Sequence, residues 1–214
     1  MSEIRDRIVQ LANRYVGTIG VFRHLSPQQL IDAGSDDAND VYQLDALRGA
    51  DLLIRIINEA APSIMRWSPE RERALRDGKW IYLTPTSSGK AGTYDESEPG
   101  RFDWCGIFTA WIWMQAGINV TWVRDYGIDS IAVPKPFELV QNRAQYRKPG
   151  FIRRGDICVM NNPGMNNQHY YIVVDEDFAG MRTVEGNLSL PRQAIAHRRR
   201  TRDLIVSHYR LLVD

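Results

Sequence analysis

Four residues of this chain are of types that together could carry out covalent chemistry: Cys105, His169, Glu185 and Asn187. A thiolate is a strong nucleophile, an imidazole moves protons near neutral pH, and a carboxylate or amide can fix the imidazole tautomer. Those are the parts for amide hydrolysis through a thioester. Taken singly, each has a plainer reading. Cys105 could be a small apolar residue filling core space, His169 a hydrogen-bonded strand-edge residue, and Glu185 a surface carboxylate.

Position separates the readings. Asp103-Trp104-Cys105-Gly106-Ile107-Phe108 reads as the start of a helix, with Asp103 as a good N-cap. From Ile107 to Ala116 the run is apolar almost all round, interrupted by Thr109 and Gln115, so the helix should be buried, and Gly117 should stop it. A thiol in the first turn faces the positive end of the helix dipole, which favours thiolate. His169 opens the strand-like run His169-Tyr170-Tyr171-Ile172-Val173-Val174, and Thr183-Val184-Glu185-Gly186-Asn187 ends the next. If the two pair as a hairpin around residues 175–180, their ends meet. His169, Glu185 and Asn187 are all odd-numbered, so an even-sum register puts them on one face, and a one-residue slip would undo this.

The remaining pattern is helices first, then strands. Ile4, Ile8, Leu11, Ala12 and Tyr15 repeat at helical spacing over residues 3–16 with Gly17 as a stop. Ser26-Pro27 starts a short helix to Ala33, residues 44–60 give a longer one closed by Pro62, and Ser68-Pro69 starts another that stops at Gly78. Trp80–Leu83 reads as a strand, Thr84–Gly100 as an exposed loop, and Phe137–Tyr146 as a short helix. Gly155–Met160, Tyr170–Asp175, Met181–Asn187 and Leu204–Leu212 are strand candidates. This order gives an α+β fold class, with the Cys105 helix packed on an antiparallel sheet.

Bulk properties narrow the function. The chain has 214 residues, a formal net charge of +1 and 43% hydrophobic residues, which fits a globular domain with no polyanion partner. The basic run His197-Arg198-Arg199-Arg200, with Arg202, has no interleaved aromatic platform and reads as a solvated surface segment, so no nucleic-acid partner is expected. Two cysteines without CxxC or HExxH spacing argue against a disulfide scaffold or zinc, and Cys158 sits in a strand-like apolar run as a core residue. Met1–Asp6 has no apolar leader core and no stretch reaches transmembrane length, so synthesis in the cytoplasm and no membrane partner are expected.

Trp104-Cys105, Gly155-Asp156-Ile157, the run from His169 to Val174 and Glu185-Gly186-Asn187, in that order, resemble the papain-like bacterial cell-wall cysteine peptidases and amidases, the CHAP and NlpC-type group. The resemblance covers residues 100–190, and Tyr15-Val16-Gly17 resembles the end of the helix that opens such domains. It implies a single papain-like domain over 1–214, with a catalytic core at 101–214 and a mostly helical elaboration at 18–100. It implies Cys105 as nucleophile, His169 as general base and acid, Glu185 as the group fixing the tautomer and Asn187 as a second orienter. Trp104, Tyr94, Asn166 and Asn167 are the expected cleft-lining residues; no metal or cofactor is implied.

The implied reaction is amide hydrolysis in the peptides of peptidoglycan. An injected antibacterial toxin, delivered without a leader by a contact-dependent (type VI) system to the periplasm or wall of a target cell, fits a compact unit. A secretion-system carrier and an immunity protein would then be its partners. The same thiol chemistry on another substrate (protease, deamidase or acyltransferase) and an inactive papain-like binding module remain as alternatives. In one place the chain departs from the group: Trp104 stands where an Asp or Gln often precedes the cysteine. That leaves the Cys105 backbone N–H as one oxyanion donor and no named second, each such donor being worth around 3 kcal/mol of transition-state stabilisation.

Overall fold

The computed structural model describes residues 3–19, 49–62, 83–85, 94–99, 104–125, 128–132, 137–140, 143–146, 150–161, 168–188 and 194–212, with isolated positions 69, 72, 73 and 148. The helix expected at 26–33, the one expected at 68–78 apart from positions 69, 72 and 73 (which are helical), residues 44–48 of the third, and Trp80 to Tyr82 lie outside the described residues.

The described helices are α1 (Glu3–Arg14), α2 (Ala50–Ala60), α3 (Cys105–Gln115) and the single-turn α4 (Arg143–Tyr146). The strands are β1 (Leu83–Pro85), β2 (Tyr94–Pro99), β3 (Thr121–Asp125), β4 (Ile128–Ala132), β5 (Phe137–Val140), β6 (Ile157–Asn161), β7 (Gln168–Asp177), β8 (Gly180–Leu188), β9 (Ala194–Arg200) and β10 (Ile205–Leu211). Six strands form the main sheet in the order β5-β10-β6-β7-β8-β9, with every neighbouring pair antiparallel. The fold is therefore α+β.

Ile157–Met160 of β6 and Tyr170–Val174 of β7 explain the layering. Their apolar runs lack a polar alternation, because both faces of these central strands are covered. Ile157, Val159, Tyr170, Ile172 and Val174 face one core with α1, α2 and α3. Cys158, Met160, Tyr171 and Val173 face a second core with Tyr146, Ile152, Met181 and Ile205. Cys158 is thus the core residue its setting suggests.

α3 is buried from Cys105 to Trp113, as a helix apolar on all sides must be. Thr109, its polar member, donates to the Gly106 carbonyl at 2.8 Å. The helix ends in a Schellman motif: Ile118 N–H donates to Trp113 O at 3.1 Å and Gly117 N–H to Met114 O at 3.0 Å, with Gly117 at φ 96°. At the other end the N-cap is Trp104, one residue later than expected, and it makes no side-chain cap hydrogen bond. Asp103 lies outside the described residues.

Gly155-Asp156 has a structural task that its sequence does not announce. Asp156 is fully buried and draws together both ends of the chain. It accepts from Arg5 Nη1 on α1 at 2.7 Å, from His208 Nε2 on β10 at 2.8 Å, and from the backbone N–H groups of Arg153 and Leu211. Arg5 also donates to the Arg154 and Leu211 carbonyls. A carboxylate sealed in this way needs such a donor set to offset lost hydration.

Several expectations are corrected. Phe137–Val140 is a strand paired with β10, and only Arg143–Tyr146 is helical. Thr84–Gly100 is not all loop, since β1 and β2 pair within it. The segment at 18–100 therefore includes this strand pair beside α2. β3 and β4 form a further hairpin where the sequence pattern is mixed. The basic run is strand β9: His197 and Arg199 are exposed, while Arg198 and Arg200 are partly buried. No described helix is long and apolar enough to cross a membrane.

Candidate active site

The β7–β8 register decides which side chains meet. Ile172 pairs with Val184 and Val173 with Thr183, both even sums, so Tyr171, Val173, Thr183 and Glu185 share a face. A bulge between Val173 and Asp175 shifts the register only toward the hairpin tip. Continued to the start of β7, the even-sum register brings His169 to the same end of the sheet as Glu185. The result is a direct hydrogen bond, His169 Nε2 to Glu185 Oε2 at 2.8 Å.

His169 meets Cys105 on its other side. Burial alone would lower the imidazole pKa, but its hydrogen bond to Cys105 and that sulfur's charge, together with the bond to Glu185 and its charge, raise it to about 10. With Nε2 committed to the carboxylate, Nδ1 is the ring nitrogen left for the sulfur. The thiol at the head of α3 thus acts electrostatically on the imidazole at the start of β7, which is hydrogen-bonded to the carboxylate on β8. Cys105 is 4% exposed and His169 6%.

Two residues that the sequence reading left out complete the carboxylate's surroundings. Glu185 Oε1 accepts from Thr183 Oγ1 at 2.6 Å and from Arg200 Nε at 2.8 Å, while Oε2 also accepts from Arg200 Nη2 at 2.5 Å. Burial would raise the Glu185 pKa; Arg200 and His169 outweigh it and hold it at about 2. Thr183 could have been found from its parity with Glu185, two positions on. Arg200 was hidden in a run of like charges, where only the strand's alternation separates it from Arg199, which pairs with Asp177 at the surface.

The turn carrying Cys105 is seated by close packing. A Cβ on Gly106 would lie 1.9 Å from Trp122 Cη2, and one on Gly186 would lie 2.6 Å from Trp104 Cζ3. Only glycine admits an approach of that kind. Trp104, expected to line a cleft, is instead 1% exposed and packs on Gly186 and Phe108, so its role is to wedge helix against sheet. The first intrahelical donor is Phe108 N–H, to Trp104 O, so the Cys105, Gly106 and Ile107 N–H groups precede the hydrogen-bond ladder.

Asn187 is buried and has φ 56°, the one non-glycine residue with positive φ among the described residues, beside a β-bulge. Asn is among the few side chains that tolerate this conformation. Asn166 and Asn167 lie outside the described residues, as does the Tyr94 side chain, although its strand is placed. Among the described residues no group of three or more His, Cys, Asp or Glu is arranged to hold a metal ion. Both cysteines are free. Burial, then the Asp156 charge, pushes the Cys158 thiol pKa well up, the setting of an inert interior thiol.

No family model, curated protein or solved structure matches this chain.

Proposed function

We propose that this protein is a papain-like, cysteine-dependent amidohydrolase or endopeptidase that cleaves amide bonds in peptidoglycan peptides. The observation that carries the reading is the His169 imidazole held between Cys105 and Glu185. In the proposed reaction the Cys105 sulfur attacks the substrate carbonyl and the Cys105 N–H donates to the developing oxyanion. His169 gives its Nδ1 proton to the leaving nitrogen as the carbon–nitrogen bond breaks, which leaves a thioester. Water then attacks with His169 as base, restoring the thiol and releasing the acid. Glu185 keeps a proton on Nε2 throughout, so that Nδ1 is the nitrogen that cycles.

The cell-wall substrate is supported by the resemblance carried by Cys105, Gly155-Asp156, His169 and Glu185-Gly186-Asn187. The same resemblance supports an antibacterial effector, delivered by a contact-dependent (type VI) route to the wall or periplasm of a target cell, with a carrier and an immunity protein as partners. A second reading, a papain-like binding module, is favoured by one observation: the residue bearing the sulfur is 4% exposed.

Digestion of purified sacculi by wild type and by Cys105→Ala, with mass analysis of the fragments, tests the proposal. New fragments from wild type alone are expected, and their masses identify the bond cut. Identical fragment profiles would remove the cell-wall assignment.

A further inference from the structure

We infer that Arg200 is a positioning residue of this site: by holding both oxygens of Glu185, it keeps that carboxylate ionised and turned toward His169 Nε2 in either protonation state of the imidazole. The inference rests on the thiol–imidazole reading above.

Glu185 has no exposed surface, so every oxygen lone pair it offers must find a donor inside the protein. Arg200 supplies two of the four hydrogen bonds, one to each oxygen, in the fork geometry that guanidinium offers and ammonium does not. Thr183 takes the remaining position on Oε1 and His169 that on Oε2. Rotation of the carboxylate would break several of these bonds together, so its orientation is fixed.

Charge makes the second part of the argument. During the reaction His169 passes from imidazolium to neutral imidazole. A buried carboxylate whose sole partner was His169 would then become an uncompensated anion, and its attraction for the proton would oppose transfer to the leaving nitrogen. Arg200 prevents this, because its guanidinium stays charged throughout. Among the described residues, the titratable or charged groups on the Glu185 face are His169 and Tyr171 from β7 and Arg198 and Arg200 from β9, of which Arg200 bonds the carboxylate directly. Those facing His169 are Cys105 from α3 and Glu185 from β8. Arg200 is the guanidinium bonded to both Glu185 oxygens, so the compensation is assigned to it.

The test uses the full chain with 13C-carboxyl-labelled glutamate, the Glu185 signal being assigned by its loss in Glu185→Gln. Wild type, Arg200→Met and Arg200→Lys are titrated, and Cys105 alkylation by iodoacetamide is followed over the same range. In wild type the Glu185 signal should stay in its ionised position down to about pH 3, whereas in Arg200→Met its midpoint should rise by about 1–3 pH units. The acid limb of the alkylation profile should rise with it. Arg200→Lys, which keeps the charge but loses the fork, should fall between. If Arg200→Met does not fold, the Arg200→Lys shift alone decides. A folded variant with wild-type Glu185 titration and a wild-type alkylation profile overturns the Arg200 inference. A wild-type Cys105 that resists the reagent overturns the hydrolase reading instead, whatever Glu185 does.

Discussion

Trp104 and Gly186 meet where helix meets sheet, so closely that a single added methyl on Gly186 would sit 2.6 Å from the indole. The contact joins the residue before Cys105 to the residue after Glu185, and so ties the position of the sulfur to that of the carboxylate. Gly186→Ala should therefore push α3 away from β8. A loss of about 1–3 kcal/mol is expected in chemical denaturation, as for other overpacked cores. Activity should fall further than the remaining folded fraction explains, because the sulfur–imidazole contact opens.

Asn187 allows backbone and side chain to be separated. Its φ of 56° is open to glycine, whereas a β-branched residue there is strained by roughly 1–2 kcal/mol. Asn187→Gly keeps the backbone conformation and removes only the amide, so it should lower kcat if the amide orients the site. Asn187→Val, which adds the backbone strain, should have a lower melting temperature than Asn187→Gly. Equal activity in Asn187→Gly and wild type would reduce the residue to its backbone role.

Stability should show two pH arms. Glu185 falls from an ordinary 4.5 to about 2, so its contribution is full above pH 4.5 and is lost as pH falls toward 2. His169 rises from 6.5 to about 10, so its contribution is full below pH 6.5 and is lost as pH rises toward 10. These two groups together predict a maximum between those inner limits. Thermal melts across pH should show it, with a flatter acid arm in Glu185→Gln and a flatter alkaline arm in Cys105→Ala.

Asp156 should be the most sensitive position outside the site. Asp156→Ala leaves the Arg5 guanidinium buried and deprives His208 Nε2 of its partner, so a loss on the order of 3–5 kcal/mol is expected. Hydrogen exchange should then rise first in α1 and β10, which this carboxylate binds together. Unchanged protection in both elements would count against that clamp.

Much of this architecture was legible in the chain. The all-round apolar run after Cys105 fixed a buried helix with Gly117 as its stop, and shared parity anticipated His169 and Glu185 on one face. Trp104 misled because an aromatic beside a nucleophile reads equally as cleft wall or packing wedge, and Gly186, which decides between them, lies far along the sequence. β9 was missed because four consecutive basic or imidazole side chains mask strand alternation, and β5 because Phe137–Val140 is too short to distinguish strand from helix. Arg200 could not be assigned to Glu185 until β9 was known to lie beside β8.

The central claim is that Cys105 and His169 act as a nucleophile–base pair, and its most direct test is the rate of Cys105 alkylation by iodoacetamide in wild type and in His169→Ala. Wild type should react roughly a hundred- to ten-thousandfold faster, in keeping with the usual effect of a positioned proton carrier. Cys158, sealed in the second core, should stay unlabelled until the protein unfolds. Equal Cys105 rates in the two folded proteins, or a Cys105 no more reactive than Cys158, would contradict the claim.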